Sequence, residues 1–145
     1  MSVIEQAAEA RLVPVQPGDL MRYVRTVEPL LAPAIERGGD LAPVDVFREV
    51  IAGNMQLWVI AQGGRVVGAC VTKVAQRPRR KVVTVVYVGG ANMPEWLGLL
   101  SEIEGWARAI GAQCVQVVGR KGWKRVLEGY RADSVVLTKD LTDVH

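Results

Sequence analysis

"VVTVVYVGGANMPEWLGLL", residues 82–100, decides the fold. Its first seven residues are β-branched except Tyr87 and read as a buried strand, closed by Gly89 and Gly90. From Pro94 the pattern returns to helix: Trp96, Leu97, Leu100, Ile103, Glu104 and Ala107 share a face, and Gly111 ends the helix after Ala109. A short apolar strand, "CVQVVG" (114–119), comes next. Strand, helix and strand over 82–119 are long enough for a right-handed parallel crossover. A strand that runs through glycines into a helix is also how many folds hold a phosphate. Whether Gly89 and Gly90 cradle an anion or only turn the chain is the functional question this stretch raises.

Upstream, the period changes twice. "RLVPVQ" (11–16) alternates as a first strand, and Pro17-Gly18 ends it. Asp19 is an N-cap candidate for "LMRYVRTVEPLLAPAIERGG", in which Leu20, Tyr23, Val24, Val27, Leu30 and Leu31 fall at helical spacing. Pro29 and Pro33 are expected to divide this stretch into two short pieces. A further helix is expected over 42–54, with Val46, Phe47, Val50 and Ile51 on one face. "LWVIAQ" (57–62), a "GGR" turn and "VVGACVTKVAQ" (66–76) read as a hairpin, because Gly63-Gly64 supplies the positive φ of a tight turn. Downstream, "KGWKRVLEGY" (121–130) reads as a short helix and "SVVLTKDL" (134–141) as a last strand.

The chain has 145 residues, half of them hydrophobic and 23% charged, which fits a single domain over 1–145 with one core. No apolar run reaches transmembrane length, and "MSVIEQAAEARLVPV" has no basic region before an apolar one, so neither a membrane span nor a signal peptide is expected. A cytoplasmic protein follows as the expectation. Cys70 and Cys114 stand singly in apolar runs and His145 is the only histidine. That supply is too thin for a zinc site or a histidine-activated nucleophile, and it casts both cysteines as small hydrophobes. A net charge of +3 permits an acidic partner without requiring nucleic acid.

The element order is strand, two helices, three antiparallel strands, helix, parallel strand, helix, strand: an α/β mixed sheet with helices on both faces. This order resembles the GNAT acetyltransferase superfamily along nearly the whole chain. "LWVIAQGGRVVGACV" resembles its second and third strands, and "WKRVLEGYRADSVVLTKDL" its C-terminal pattern, with Gly129-Tyr130 at the Gly-Phe step. "GGANMPEWLGLLSEIEGWARAIGAQCVQVVGRKGWKRVLEGYR" is similar to small GNAT-like proteins of phages and prophages.

The resemblance implies acetyl-CoA as a possible cofactor, with Val86 to Gly90 against its pantetheine arm and Val88, Gly89, Gly90 and Arg125 as candidate contacts. It also implies a pyrophosphate loop that begins with Arg or Gln and has spaced glycines. Here that stretch reads Gly89-Gly90-Ala91-Asn92-Met93-Pro94, Pro94 has no N–H to donate, and Glu95 is a like charge for a phosphate. A family tyrosine four residues before the Gly of Gly-Phe is replaced by Arg125; Tyr87 and Tyr130 are the remaining catalytic candidates. Two functions follow as expectations. The first is a phage-type GNAT scaffold that works through protein contacts, with particle proteins, a host factor or itself, in the host cytoplasm or the virion. The second is an atypical acyl-CoA-dependent N-acyltransferase.

Two basic clusters are candidate anion or partner contacts: Arg79, Arg80 and Lys81, and Arg120, Lys121 and Lys124 around Trp123. A solvated loop and the wet face of an amphipathic helix are the plainer explanations, and nucleic acid rests on these clusters alone. Trp96 and Trp106, ten residues apart, are expected to point in different directions, one of them outward.

Overall fold

The computed structural model describes residues 9–90, 93–119, 127–132 and 136–142, with backbone only for 93–95. Strand β1 (Arg11–Val15) is followed by a single 3-10 turn (Pro17–Asp19), helix α1 (Leu20–Gly38) and helix α2 (Pro43–Ile51). Strands β2 (Gln56–Gln62), β3 (Arg65–Gln76) and β4 (Lys81–Gly89), helix α3 (Met93–Ala109) and strand β5 (Cys114–Val117) complete the order. The sheet runs β1-β2-β3-β4-β5, antiparallel until β5, which lies parallel to β4. The expected α/β mixed sheet with a parallel crossover is therefore present.

Helices cover both faces of the sheet, so β2 is buried on both sides instead of alternating with solvent. Leu57 and Val59 join Val27, Leu31, Ile35, Val46, Phe47 and Val50 in a core beneath α1 and α2. Trp58 and Ile60, one residue out of phase, join Cys70, Val83, Val85, Trp96, Leu100 and Ile103 beneath α3. Gly63 and Gly64, with φ of 61° and 77°, make the turn of the expected hairpin. β1 is an edge strand, which is where Pro14 costs no ladder bond on its exposed side.

The structure departs from four sequence expectations. α1 is one continuous helix across Pro29 and Pro33. The two prolines are four residues apart and both exposed, so the lost bonds fall on the solvent side, while the opposite face buries Leu20, Val27, Leu31 and Ile35. Asp19 stands at the N-cap but makes no side-chain capping bond: at φ −101° and ψ 0° its backbone is helical, where a capping residue is extended, and its N–H closes the 3-10 turn onto the Gln16 carbonyl at 2.8 Å. Ile51, in the last turn of α2, is 58% exposed. Trp96 and Trp106 both pack against the α3-side core, and the Trp106 and Trp58 rings are T-shaped to one another with centroids 5.1 Å apart. Ten helical residues leave about 80° between them, within an apolar face at least 100° wide.

Leu127 is buried in the same core, and residues 127–130 form a turn. Residues 136–141 carry no strand, and the rest of the expected 134–141 strand lies outside the described residues, as do 121–126 of the expected 121–130 helix. Among the described residues no helix is long and apolar enough to cross a membrane.

Candidate active site at the splayed strands

The run "VVTVVYV" does not stay in one register. β4 pairs with β3 as Thr72 opposite Val85, then Val71 opposite Tyr87, so Val86 has no opposite residue and forms a β-bulge. One consequence is visible in the cores. Val85 and Val88 belong to the α3 side, whereas the consecutive residues Val86 and Tyr87 both pack on the α1/α2 side. The second consequence concerns β5. Its ladder with β4 covers Val82–Val85, ending with the Val118 N–H on the Val85 carbonyl at 3.0 Å. The parallel pairing stops where the bulge begins. From there to Gly89, β4 pairs with β3 alone among the described residues, so its other edge has no strand partner there.

Gly89 and Gly90 sit at the end of this edge, and both are there for packing. A Cβ on Gly89 would collide with the Leu30 carbonyl, 2.7 Å from its carbon and 3.3 Å from the Leu31 nitrogen. The α1 backbone thus rests directly on the β4 backbone. Gly90 has φ of 89°, and a Cβ there would lie 2.7 Å from the Val67 oxygen and 2.9 Å from the Gly68 Cα. These glycines admit α1 and β3, and their side-chain space is not a cradle open to phosphate.

Tyr87 directs its ring toward the end of α1, where a Cβ on Gly38 would lie 3.6 Å from the ring and 3.8 Å from the hydroxyl. Burial, and then the Asp40 carboxylate, raise the Tyr87 pKa, so the phenol keeps its proton. The Tyr130 hydroxyl donates to Glu104 Oε2 on α3 at 2.7 Å. Its pKa is raised above the ordinary range, first by burial and then by that bond and charge. The two tyrosines pack on opposite faces of the sheet and are not brought together. In the first turn of α3, on the face that Val88 shares, the Trp96 indole N–H is buried with no hydrogen-bond partner among the described residues.

The basic run lies far from this unpaired edge. Arg79 and Arg80 are in the β3–β4 connection and Lys81 begins β4, eight residues or about 26 Å of strand from Gly89. Lys81 is committed elsewhere: its ammonium donates to the Ile110 carbonyl at 2.6 Å, capping the end of α3, and its N–H donates to Gln113 Oε1. Arg120, Lys121, Lys124 and Arg125 lie outside the described residues. The structure puts Val88, Gly89 and Gly90 at the end of β4, beyond the Val86 bulge and against Leu30, two features that the sequence reading missed. In a run of six β-branched residues no alternation marks a slip of phase.

No known family profile matches the chain, and no curated protein does. Solved structures do match. A crystal structure of a probable acetyltransferase superposes with a TM-score of 0.68 at 17% identity, covering 92% of this chain and 99% of that one. The ribosomal-protein-alanine N-acetyltransferase of Brucella melitensis biovar Abortus gives 0.69 at 11% identity, over 92% and 99%. An aminoglycoside N-acetyltransferase in complex with CoA gives 0.66 at 10% identity, over 94% and 98%. At such identities the likeness speaks for the fold. This chain has the fold of the GNAT acetyltransferases.

Proposed function

We propose that the chain is an acyl-CoA-dependent N-acyltransferase whose pantetheine site is the free edge of β4 from Val86 to Gly89. One observation carries this reading: the β4–β5 ladder ends at Val85, where the Val86 bulge opens the sheet beside a protonated phenol, Tyr87. Acyl-CoA is an acyl thioester with two amides in its pantetheine arm. The backbone N–H and C=O groups of Val86–Gly89 match those amides as a neighbouring strand would. Held there, the thioester lies at the bulge, where an amine acceptor can approach its carbonyl carbon. The Tyr87 hydroxyl is the group we assign to hold a proton for the departing sulfur. A likeness to acetyltransferases of different amine acceptors supports the reaction class and leaves the acceptor open.

The fit is uneven along the coenzyme. The strand edge suits the pantetheine arm, while the space at Gly89 and Gly90 is filled by Leu30, Val67 and Gly68. That filled space supports a second reading, a GNAT scaffold acting through protein contacts as a particle component or host-directed factor. Calorimetric titration with acetyl-CoA and with CoA at moderate salt separates the two. Saturable one-to-one binding of acetyl-CoA is expected from the enzyme reading; no heat at high protein concentration would leave the scaffold.

A further inference from the structure

Where β2 begins, β3 already extends beyond it. Gln56, the first residue of β2, pairs with Thr72, and Lys73 to Gln76 pair with β4 on one side and with no strand on the other among the described residues. The end of α2 and the connection into β2 flank this notch. Together they form a half-open pocket of about 320 Å³, at the small end of the range for ligand sites. Glu49, Asn54, Gln56 and Lys73 supply its polar lining, Met55 and Val74 its apolar lining. The pocket lies on the β2 side of β3, whereas the Val86–Gly89 edge faces away from that strand, across β4.

A hydrogen-bond relay from the core fixes what Gln56 can offer. Thr72 is the one buried polar residue among the described residues, with no exposed surface. An indole N–H can only donate, and Trp58 Nε1 donates to Thr72 Oγ1 at 3.0 Å. The Thr72 hydroxyl proton then goes to Gln56 Oε1 at 2.9 Å. With Oε1 engaged, Gln56 has its Nε2 donors left for the pocket. On the α2 side, Asn54 Nδ2 donates to Glu49 Oε1 at 3.1 Å, which leaves Glu49 Oε2 and Asn54 Oδ1 as acceptors. Lys73 and Glu49 carry opposite charges and line the same pocket, yet among the described residues neither has an ion-pair partner.

Opposite charges held apart in a small pocket match a molecule that carries both. We propose that this pocket binds a free amino acid as its zwitterion. The carboxylate accepts from Gln56 Nε2 and the Lys73 ammonium, and the ligand's ammonium donates to Glu49 Oε2 and Asn54 Oδ1. Met55 and Val74 give the ligand's side chain an apolar contact. A ligand of one charge leaves either Lys73 or Glu49 unmatched, and that mismatch is the basis of discrimination.

The test is an amide-resolved NMR titration of the full chain at neutral pH with each free α-amino acid in turn. At least one is expected to give saturable shifts at the Gln56 side-chain amide, the Trp58 indole N–H and the backbone of Gly53–Gln56. The Val86–Gly89 amides should not move. The methyl ester of that amino acid lacks the carboxylate and its N-acetyl form lacks the ammonium, so each should bind about tenfold more weakly or worse. Lys73→Met and Glu49→Gln should weaken the amino acid itself to the same extent. Both variants should keep the wild-type circular dichroism, since Lys73 is exposed and glutamine keeps an acceptor for Asn54. If no amino acid shifts these signals at millimolar concentration, the proposal is overturned. Binding that either single-charge form matches, or that either variant leaves unchanged, overturns it too.

Discussion

The carbonyl group of Leu30 occupies the place where a side chain on Gly89 would begin, so α1 rests backbone-to-backbone on the end of β4. Any larger residue at 89 must push α1 outward or pull the end of β4 off β3. Gly89→Ala is therefore expected to destabilise the chain by about 3 kcal/mol, at the upper end of ordinary overpacking. Gly105, exposed in the middle of α3 with open space around it, gives the opposite result: Gly105→Ala is expected to stabilise by about 0.5–1 kcal/mol. Urea unfolding of the two variants beside the wild type checks both signs.

The basic run should divide by role. Lys81→Met removes the ammonium that caps α3 at Ile110 and is expected to cost about 0.5–1 kcal/mol. Arg79→Ala, on an exposed loop, should stay within about 0.5 kcal/mol of the wild type. Neither change should alter acetyl-CoA affinity in calorimetry, because both residues lie at the far end of β4 from the unpaired Val86–Gly89 edge.

The two thiols should react at different times. Cys70 is fully buried, and burial alone raises its pKa far above the ordinary 9.0. Cys114, at the start of β5, is half-buried. A thiol reagent followed by mass spectrometry should modify one cysteine in the native chain and the second only after denaturant is added. Cys114→Ser should abolish the native-state label.

Tyr130→Phe removes the bond to Glu104 and is expected to cost about 1 kcal/mol at neutral pH, since the pair is partly solvated. The pH dependence has a definite sign. The folded-state pKa of Tyr130 is raised above its ordinary 10.0, so its stabilisation is fully present below pH 10 and is lost as pH rises beyond it. Cys70 and Tyr87 shift the same way, but they are common to both proteins and cancel in the difference. Unfolding free energies measured from neutral to strongly alkaline pH should show a constant gap up to pH 10 that narrows above it.

The elements with strong local signals were legible in the sequence. The Gly63-Gly64 hairpin, the strand–helix–strand from 82 to 119 and the two-helix insertion after β1 follow from period and turn chemistry. Pro29 and Pro33 misled because their effect depends on which face they occupy, and that face is set by packing on β4. The local geometry of the candidate site was less legible. The sequence points to Val86–Gly90, yet the bulge at Val86 is invisible in a valine run, and the packing of Gly89 depends on Leu30, far earlier in the chain. Tertiary contacts of that kind leave no mark in local spacing.

The most direct test of the strand-edge site is an amide-resolved NMR titration of the chain with acetyl-CoA. The account predicts saturable shifts that are largest at the backbone amides of Val86–Gly89 and at Val118, where the β4–β5 ladder ends. Spectra unchanged at saturating coenzyme, or shifts gathered instead at Arg79–Lys81, would contradict it.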